Sequence, residues 1–294
     1  MSLIKLLLAE IFGAKKAKLN GSNLFSSEYS SSAQYSSLVK LFGDGGKAIV
    51  RIPVQDNTIR QFLDSSRMAN QAGIEILALL DSYESDSSMM NRLSIIKSSA
   101  SYVKYIQLFN EIPHMNNLYP GEKITSLQDL LEKTNRYADW IHHNIGGVKV
   151  ITEATYNLMD SRSNGWDITN TEITKQLILY TVADIVAVHL YGDSFGKKLE
   201  LANVSDSIVE WNKEASSKGY PKKIFVTECG TDRWSDQIKY YDKIVKLIGN
   251  LLSPEKIILY RQAVKNQNEI DAGYALEIIN SGQKSPLYNK LITT

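Results

Sequence analysis

Several protein classes can be set aside by what this chain lacks. It has a single cysteine, Cys229, in 294 residues. One thiol excludes an intramolecular disulfide and any zinc site built on cysteine pairs. It fixes no compartment, because secreted proteins without disulfides are common. Neither sign of charge is in excess: 33 basic residues against 32 acidic ones leave a net +1. No face is therefore expected to draw nucleic acid or an anionic membrane by charge alone. No apolar run reaches the roughly 20 residues that a spanning helix needs. Histidine is scarce as well, with His114, His142, His143 and His189 only. His142 and His143 are adjacent within a helical pattern, so they point apart and chelate poorly. No metal and no other cofactor is expected. Neither Gly-x-Gly-x-x-Gly nor Gly-x-x-x-x-Gly-Lys-Ser/Thr occurs, which removes the mark of the open, doubly wound nucleotide-binding sheets.

What the chain does have is apolar residues in short, regularly spaced runs. Hydrophobic residues make up 43% of it, enough to bury a large core. From residue 48 onward, runs rich in Val, Ile and Leu alternate with helical patterns. Strands are expected at 48–54, 74–80, 102–109, 148–151, 184–190, 224–227 and 257–260. Helices are expected at 58–71, 87–99, 127–143, 171–182, 205–217 and 235–252, many stopped by glycine or proline. Apolar strands without inside-outside alternation suit a sheet buried on both faces. Their alternation with helices of about a dozen residues indicates parallel βαβ units.

Seven strands are readable, and an eighth must lie in the first 25 residues, at 3–12 or 17–25. A first strand is favoured over a signal peptide there, because Glu10 interrupts the apolar run and no small-residue cleavage site follows. Eight strand-helix units in this length predict an α/β fold, a single-domain (β/α)8 TIM barrel spanning residues 1–294.

In such a barrel the chemistry sits at the carboxyl ends of the strands. The fourth strand ends in Asn110-Glu111 and the seventh in Glu228. The second carries Arg51 and runs on to Gln55, the third ends in Asp81, and the sixth in His189-Leu-Tyr191. The eighth leads into Tyr260-Arg261-Gln262, and Trp234 follows the seventh. Glu153, after the fifth strand, reads as a helix-leading charge, and Cys229 as a small apolar group facing away from Glu228. A carboxylate at the end of a buried strand carries a desolvation cost that some partner or function must offset. Two of them, on strands four and seven, suggest one shared pocket.

These stretches resemble the clan A glycoside hydrolases, retaining enzymes on (β/α)8 barrels. The resemblance rests on Leu108-Phe-Asn-Glu111, Phe225-Val-Thr-Glu228, His189-Leu-Tyr191 and Arg51, while the layout matches over nearly the whole chain. It implies hydrolysis of β-linked glycans by double displacement, with Glu111 as acid/base and Glu228 as nucleophile. It further implies an oligosaccharide or polysaccharide as the partner, bound by Arg51, Asn110, His189 and Tyr191, with Tyr260 near the place of the clan's strand-eight Trp; by position alone, Trp234 and Tyr83 are expected to offer flat faces for sugar rings. One position departs from the clan, whose members usually carry Trp at the end of strand eight; Leu259-Tyr-Arg-Gln262 stands here. A barrel that binds carbohydrate or a protein without catalysis, and a metal-assisted enzyme using the same carboxylates, are the alternative readings.

Overall fold

Eight parallel strands close into a barrel in sequence order. The computed structural model describes residues 19–25, 28–29, 31–43, 47–81, 83–115, 123–159, 166–192 and 196–293. The strands are β1 (Gly21–Asn23), β2 (Ile49–Pro53), β3 (Glu75–Leu80), β4 (Tyr105–Leu108), β5 (Lys149–Ile151), β6 (Ile185–Tyr191), β7 (Lys223–Gly230) and β8 (Lys256–Leu259). The eighth strand that the sequence required is thus the second of its two candidates. The other, at 3–12, lies outside the described residues.

The helices of the outer ring include Ile59–Gln71, Asp86–Ser99, Leu127–Asn144, Asn170–Tyr180 and Lys198–Ser217. Three have a side-chain cap that satisfies a first-turn N–H: Ser85 accepts from Ser88, Ser126 from Asp129 and Thr169 from Glu172. The segment expected as one helix over 235–252 is divided. Trp234–Tyr240 and Lys246–Leu252 are α-helical, and Tyr241–Val245 between them is a π turn. A small sheet that periodicity did not reveal follows β8, made of β9 (Ala263–Val264), β10 (Glu277–Ile278) and β11 (Gln283–Lys284).

Side chains divide into two apolar layers. Ile49, Leu77, Ile151, Ala187, Phe225 and Ile258 fill the barrel interior. The rings of Tyr105 and Phe225, on β4 and β7, meet across it with centroids 5.1 Å apart. Their strand neighbours Val50, Ala78, Ile106, Val150, Val188 and Val226 belong to the shell under the helices. One step further along, the interior changes character. Arg51, Gln107, His189 and Glu228 continue the inward-facing positions, and all four are buried.

Two backbone irregularities set that polar layer. In β7 the pairing with β6 runs Val226 to Val188 and then Glu228 to His189, so Thr227 is an extra residue, a β-bulge. Regular alternation from the inward Phe225 would turn Glu228 outward; the bulge returns it to the interior. Cys229 then packs in the outer shell, facing away from Glu228 as expected. After β4, Phe109 and Glu111 both adopt left-handed φ, 68° and 52°. Phe109 swings outward, its ring edge-on to Tyr83 and Tyr137 at 6.2 Å each, while Asn110 and Glu111 turn toward the barrel mouth.

Candidate active site

Arg51 is the hub of the polar layer. It lies 2% exposed on β2 and uses its guanidinium on four partners. Nε donates to Gln107 Oε1 at 2.8 Å, Nη1 to Asn23 Oδ1 at 2.7 Å and to Glu228 Oε1 at 2.5 Å, and Nη2 to Asn110 Oδ1 at 2.5 Å. A planar fork with five donors suits this, and a lysine does not. Asn23 is itself fixed, since its Nδ2 donates to the carbonyls of Thr227 and Leu259. The charge of Arg51 is thus held against Glu228 by four strands.

Glu228 accepts on both oxygens, because Tyr191 Oη donates to Oε2. Burial pushes its pKa up. The neighbouring His189 imidazole, the Arg51 charge and the two hydrogen bonds outweigh burial, and the net result lies below the ordinary carboxyl value. Glu111 moves the opposite way. Burial raises it, the Glu228 charge adds to the rise, and the bond to His189 only partly opposes them. His189 Nδ1 lies 2.7 Å from Glu111 Oε1, and its Nε2 lies 3.7 Å from Glu228 Oε1. Carboxylate oxygens of Glu111 and Glu228 and a ring nitrogen of His189 all fall within 4.8 Å of one another. Two carboxyl groups this close, with pKa values pushed in opposite directions, each influence the ionisation of the other.

The pair opens into a cavity of about 510 Å³. One side is polar, with Asn23, Gln55 and Asp81; the other is aromatic, with Tyr156, Tyr191, Tyr260 and Tyr274. His114 stacks on Tyr156 with ring centroids 4.7 Å apart. Tyr260 faces the cavity, and its hydroxyl donates to Asp271 at 2.8 Å. Arg261 does not share the cavity. It donates to Asp271 at 2.8 Å and pairs with the buried Glu28.

Of the residues expected from sequence, Glu111, Glu228, Arg51, Asn110, Tyr191 and Tyr260 line one cavity, and His189 lies directly behind the two glutamates. Two expectations fail. Trp234 lies among Val264, Ala275 and Ile278 of the small sheet, its indole N–H donating to Ala275 O at 2.8 Å. Tyr83 is buried in the outer shell, its hydroxyl bonded to Asp86 at 2.7 Å. Proximity to a strand end in sequence does not set side-chain direction, and both rings are claimed by apolar neighbours.

Sequence reasoning missed Asn23, because β1 was unreadable, and Tyr274 and Asp271, because they come from the small sheet's loop. Glu153 also reads differently. It is fully buried, with Oε1 accepting from Ile112 N at 3.1 Å, while Ala154 O accepts from Glu111 N at 2.9 Å. The turn that carries Glu111 is therefore pinned to the end of β5. Burial, without a cation to offset it, raises the Glu153 pKa well above the ordinary value.

No protein-family model matches the chain, and no curated protein matches it in sequence. Solved structures do match in fold. The endo-1,4-β-mannanase of Rhizomucor miehei superposes over 96% of each chain with a TM-score of 0.60 at 10% identity. The shared element is the barrel. The family 17 β-1,3-glucanosyltransferase of the same organism covers 93% of this chain and 97% of its own, with a TM-score of 0.57 at 13% identity. The endo-1,4-β-D-mannanase of Thermotoga petrophila covers 94% and 98%, with a TM-score of 0.58 at 14% identity. All three are enzymes named for work on β-linked glycans.

Proposed function

We propose that this chain is a retaining glycoside hydrolase that cleaves β-linked glycans by double displacement. The carrying observation is the carboxyl pair: Glu111 and Glu228 oxygens within 4.8 Å, with pKa values pushed in opposite directions. Retaining enzymes hold their carboxyls about 5–5.5 Å apart, whereas inverting ones need about 6.5–9.5 Å to admit a water. The three similar structures are named as glycan-active enzymes, which favours the same substrate class.

In this reading Glu228, kept ionised by Arg51 and Tyr191, attacks the anomeric carbon. Glu111 donates its proton to the leaving oxygen. His189 Nδ1–H donates to Glu111 Oε1, which leaves Oε2 to carry the proton that is transferred. The glycosyl-enzyme ester then forms on Glu228, and Glu111, now ionised, deprotonates the incoming water. Asn110 contributes its amide nitrogen, because its oxygen is already taken by Arg51. That donor faces the position of the 2-hydroxyl, a contact that strengthens as the oxocarbenium-like transition state develops.

The test is hydrolysis of aryl β-glycosides, β-mannans and β-glucans by the wild type and two variants. Glu228→Ala is expected to abolish turnover on every substrate. Glu111→Ala is expected to lower kcat by about 10²–10⁴-fold on polysaccharide, with a smaller loss on aryl glycosides whose leaving groups need no proton. The first product should keep the β configuration. Turnover by wild type that survives Glu228→Ala sinks the assignment.

The three-residue set of Glu111, His189 and Glu228 would also fit a metal ion by distance. Against that reading, the Glu228 oxygens already accept from Arg51 and Tyr191, and a cation there would sit beside a guanidinium. Turnover unaffected by EDTA is the expected result; loss of turnover that returns with a divalent metal would favour the metal-assisted alternative.

A further inference from the structure

Arg261 is a buried charge outside the cavity that the mechanism above does not use. It follows β8, is 9% exposed, and engages all three guanidinium nitrogens. Nη2 pairs with the buried Glu28, Nη1 donates to Asp271 Oδ2 at 2.8 Å, and Nε donates to Ala263 O at 2.9 Å. The Phe25 ring covers the group, with Cζ 4.3 Å from the ring centroid. Glu28 is fixed in turn, its Oε2 accepting from Phe25 N at 3.0 Å. A buried ion pair adds little stability over apolar side chains of the same volume. What the cluster holds in place is therefore more informative than what it contributes to folding.

It holds a ring of the cavity wall. Asp271 Oδ2 accepts a second hydrogen bond, from Tyr260 Oη at 2.8 Å, so one carboxylate oxygen ties Arg261 to Tyr260. Burial and the charges of Glu228 and Asp271 push the Tyr260 pKa up, which keeps its hydroxyl a donor. The Tyr260 ring lies edge-on to Tyr191 and Tyr274, with centroids 6.2 and 5.5 Å away, and Tyr191 is the donor to Glu228. The loop that brings Asp271 is anchored beyond it without Arg261, because Gln237 Nε2 donates to the carbonyls of Gly273, Tyr274 and Ala275. On the other side of Asp271, Ile270 lines the cavity and is 96% exposed. Asp271 itself is only partly buried. Without a cation behind it, its carboxylate gains more from water than from one phenol and turns away.

We propose that Arg261 is a positioning residue: through Asp271 it sets the direction of the Tyr260 ring, and so the wall against which the glycan lies. The proposal rests on the glycosidase reading and goes beyond it, since Arg261 is no part of the cavity lining. Arg261 fixes the Tyr260 ring before binding, so the substrate meets a formed wall and does not have to order it. A lysine lacks the fork that reaches Glu28 and Asp271 together.

The test compares wild type, Arg261→Gln, Arg261→Lys, Tyr260→Phe, Tyr260→Phe combined with each Arg261 variant, and Glu228→Ala. KM and kcat are measured on β-1,4-manno- and β-1,3-gluco-oligosaccharides, and Tm is recorded for each protein. Arg261→Gln is expected to raise KM about fivefold. Its kcat should change by less than about twofold, because Glu111, Glu228 and Arg51 keep their contacts. Tyr260→Phe breaks the same link at its other end and should raise KM by a similar factor. The double variant should show no more than the larger single effect; multiplied effects would mean that Arg261 does not act through Tyr260. Arg261→Lys should fall between wild type and Arg261→Gln, and it carries the comparison with Tyr260→Phe should Arg261→Gln fail to fold. A purely structural role predicts a lowered Tm with KM and kcat as in the wild type. That result, with Glu228→Ala inactive, overturns the proposal and leaves the glycosidase reading standing. If wild type cleaves no oligosaccharide, both are overturned.

Discussion

Arg51 shows at the scale of one residue how the site is built. Its sequence neighbourhood, Ile49-Val-Arg-Ile-Pro53, identifies a buried strand with a charge in it. A buried arginine needs acceptors; of its four, Asn110 and Glu228 stand out in the sequence as polar residues at strand ends, and Asn23 and Gln107 do not. Removing it leaves Glu228 with one fewer donor and no adjacent fixed charge. The proposed double displacement requires Glu228 ionised and Glu111 protonated, so the pH profile should be bell-shaped. It rises as pH passes the depressed value of Glu228 and falls as pH passes the elevated value of Glu111. In Arg51→Lys the acid-side limb should move to higher pH with kcat reduced, while the alkaline limb, set by Glu111, moves less. A pH-kcat/KM profile with both limbs unmoved would contradict the role given to Arg51.

Glu153 makes a second residue-scale case. Its folded pKa lies well above that of an ordinary carboxyl, so the folded state binds a proton that the unfolded chain releases above about pH 4.5. Stability from this group is therefore full below the unfolded value and is lost as pH rises above it. Glu153→Gln keeps an acceptor for Ile112 N–H and cannot ionise. It should match the wild type in stability near pH 4 and exceed it at pH 7. Glu153→Ala removes the acceptor and leaves space behind, and it should cost about 2–4 kcal/mol by denaturant unfolding. Urea titrations at the two pH values decide this, and a Gln variant less stable than wild type at pH 7 refutes the neutral carboxyl. No signal in the sequence separated Glu153 from an ordinary loop acid, because its burial depends on the turn after β4.

The elements themselves were legible wherever apolar periodicity sustained them. Seven strands and the expected helices fall within a few residues of their expected places, apart from an earlier start to Lys198–Ser217 and the π turn that divides the segment over 235–252. Legibility ended where apolar character or length did. β1, with Gly21-Ser-Asn23, has no apolar run, unlike the equally short β5; the two-residue strands of the small sheet are too short to carry a period, and the cavity wall holding Asp271 and Tyr274 was lost with them. Close approach between strands is likewise invisible to periodicity. A Cβ on Gly230, at the end of β7, would stand 2.6 Å from Tyr260 O. Gly230→Ala must therefore push the end of β7 away from the segment after β8, which carries Tyr260. It is expected to lower kcat/KM on oligosaccharides by an order of magnitude or more while the far-UV circular dichroism is retained. Unchanged kinetics would mean that the two backbones can separate without moving the site.

For the whole molecule, the decisive event is closure of β1 against β2 and β8. Asn20 sits at that seam twice: its N–H donates to Ile257 O at 2.8 Å, and its side-chain oxygen accepts from Ile257 N at 2.9 Å. On the other side of β1, a Cβ on Gly21 would fall 1.7 Å from Ile49 O, which is backbone and cannot rotate away. Gly21→Ala should therefore open the seam, lowering Tm sharply and broadening the unfolding transition. A cooperative transition at the wild-type Tm would show that the barrel tolerates the gap. The (β/α)8 architecture could be inferred from a count of strands, yet the residue on which closure depends lies in the stretch where that count was least secure.

The bulge at Thr227 gives the chain a built-in reporter of its own register. If β7 were straightened, the alternation would exchange two neighbours: the carboxylate of Glu228 would go to the helix side, and the thiol of Cys229 would enter the lumen. In the native strand that thiol is fully buried, and burial pushes its pKa far up, so it should resist alkylation by iodoacetamide. Since the chain has no other cysteine, any labelling of folded protein would report this one exchange or an opening of the barrel. Thiol chemistry can therefore follow, from the back of the strand, which way the proposed nucleophile is facing.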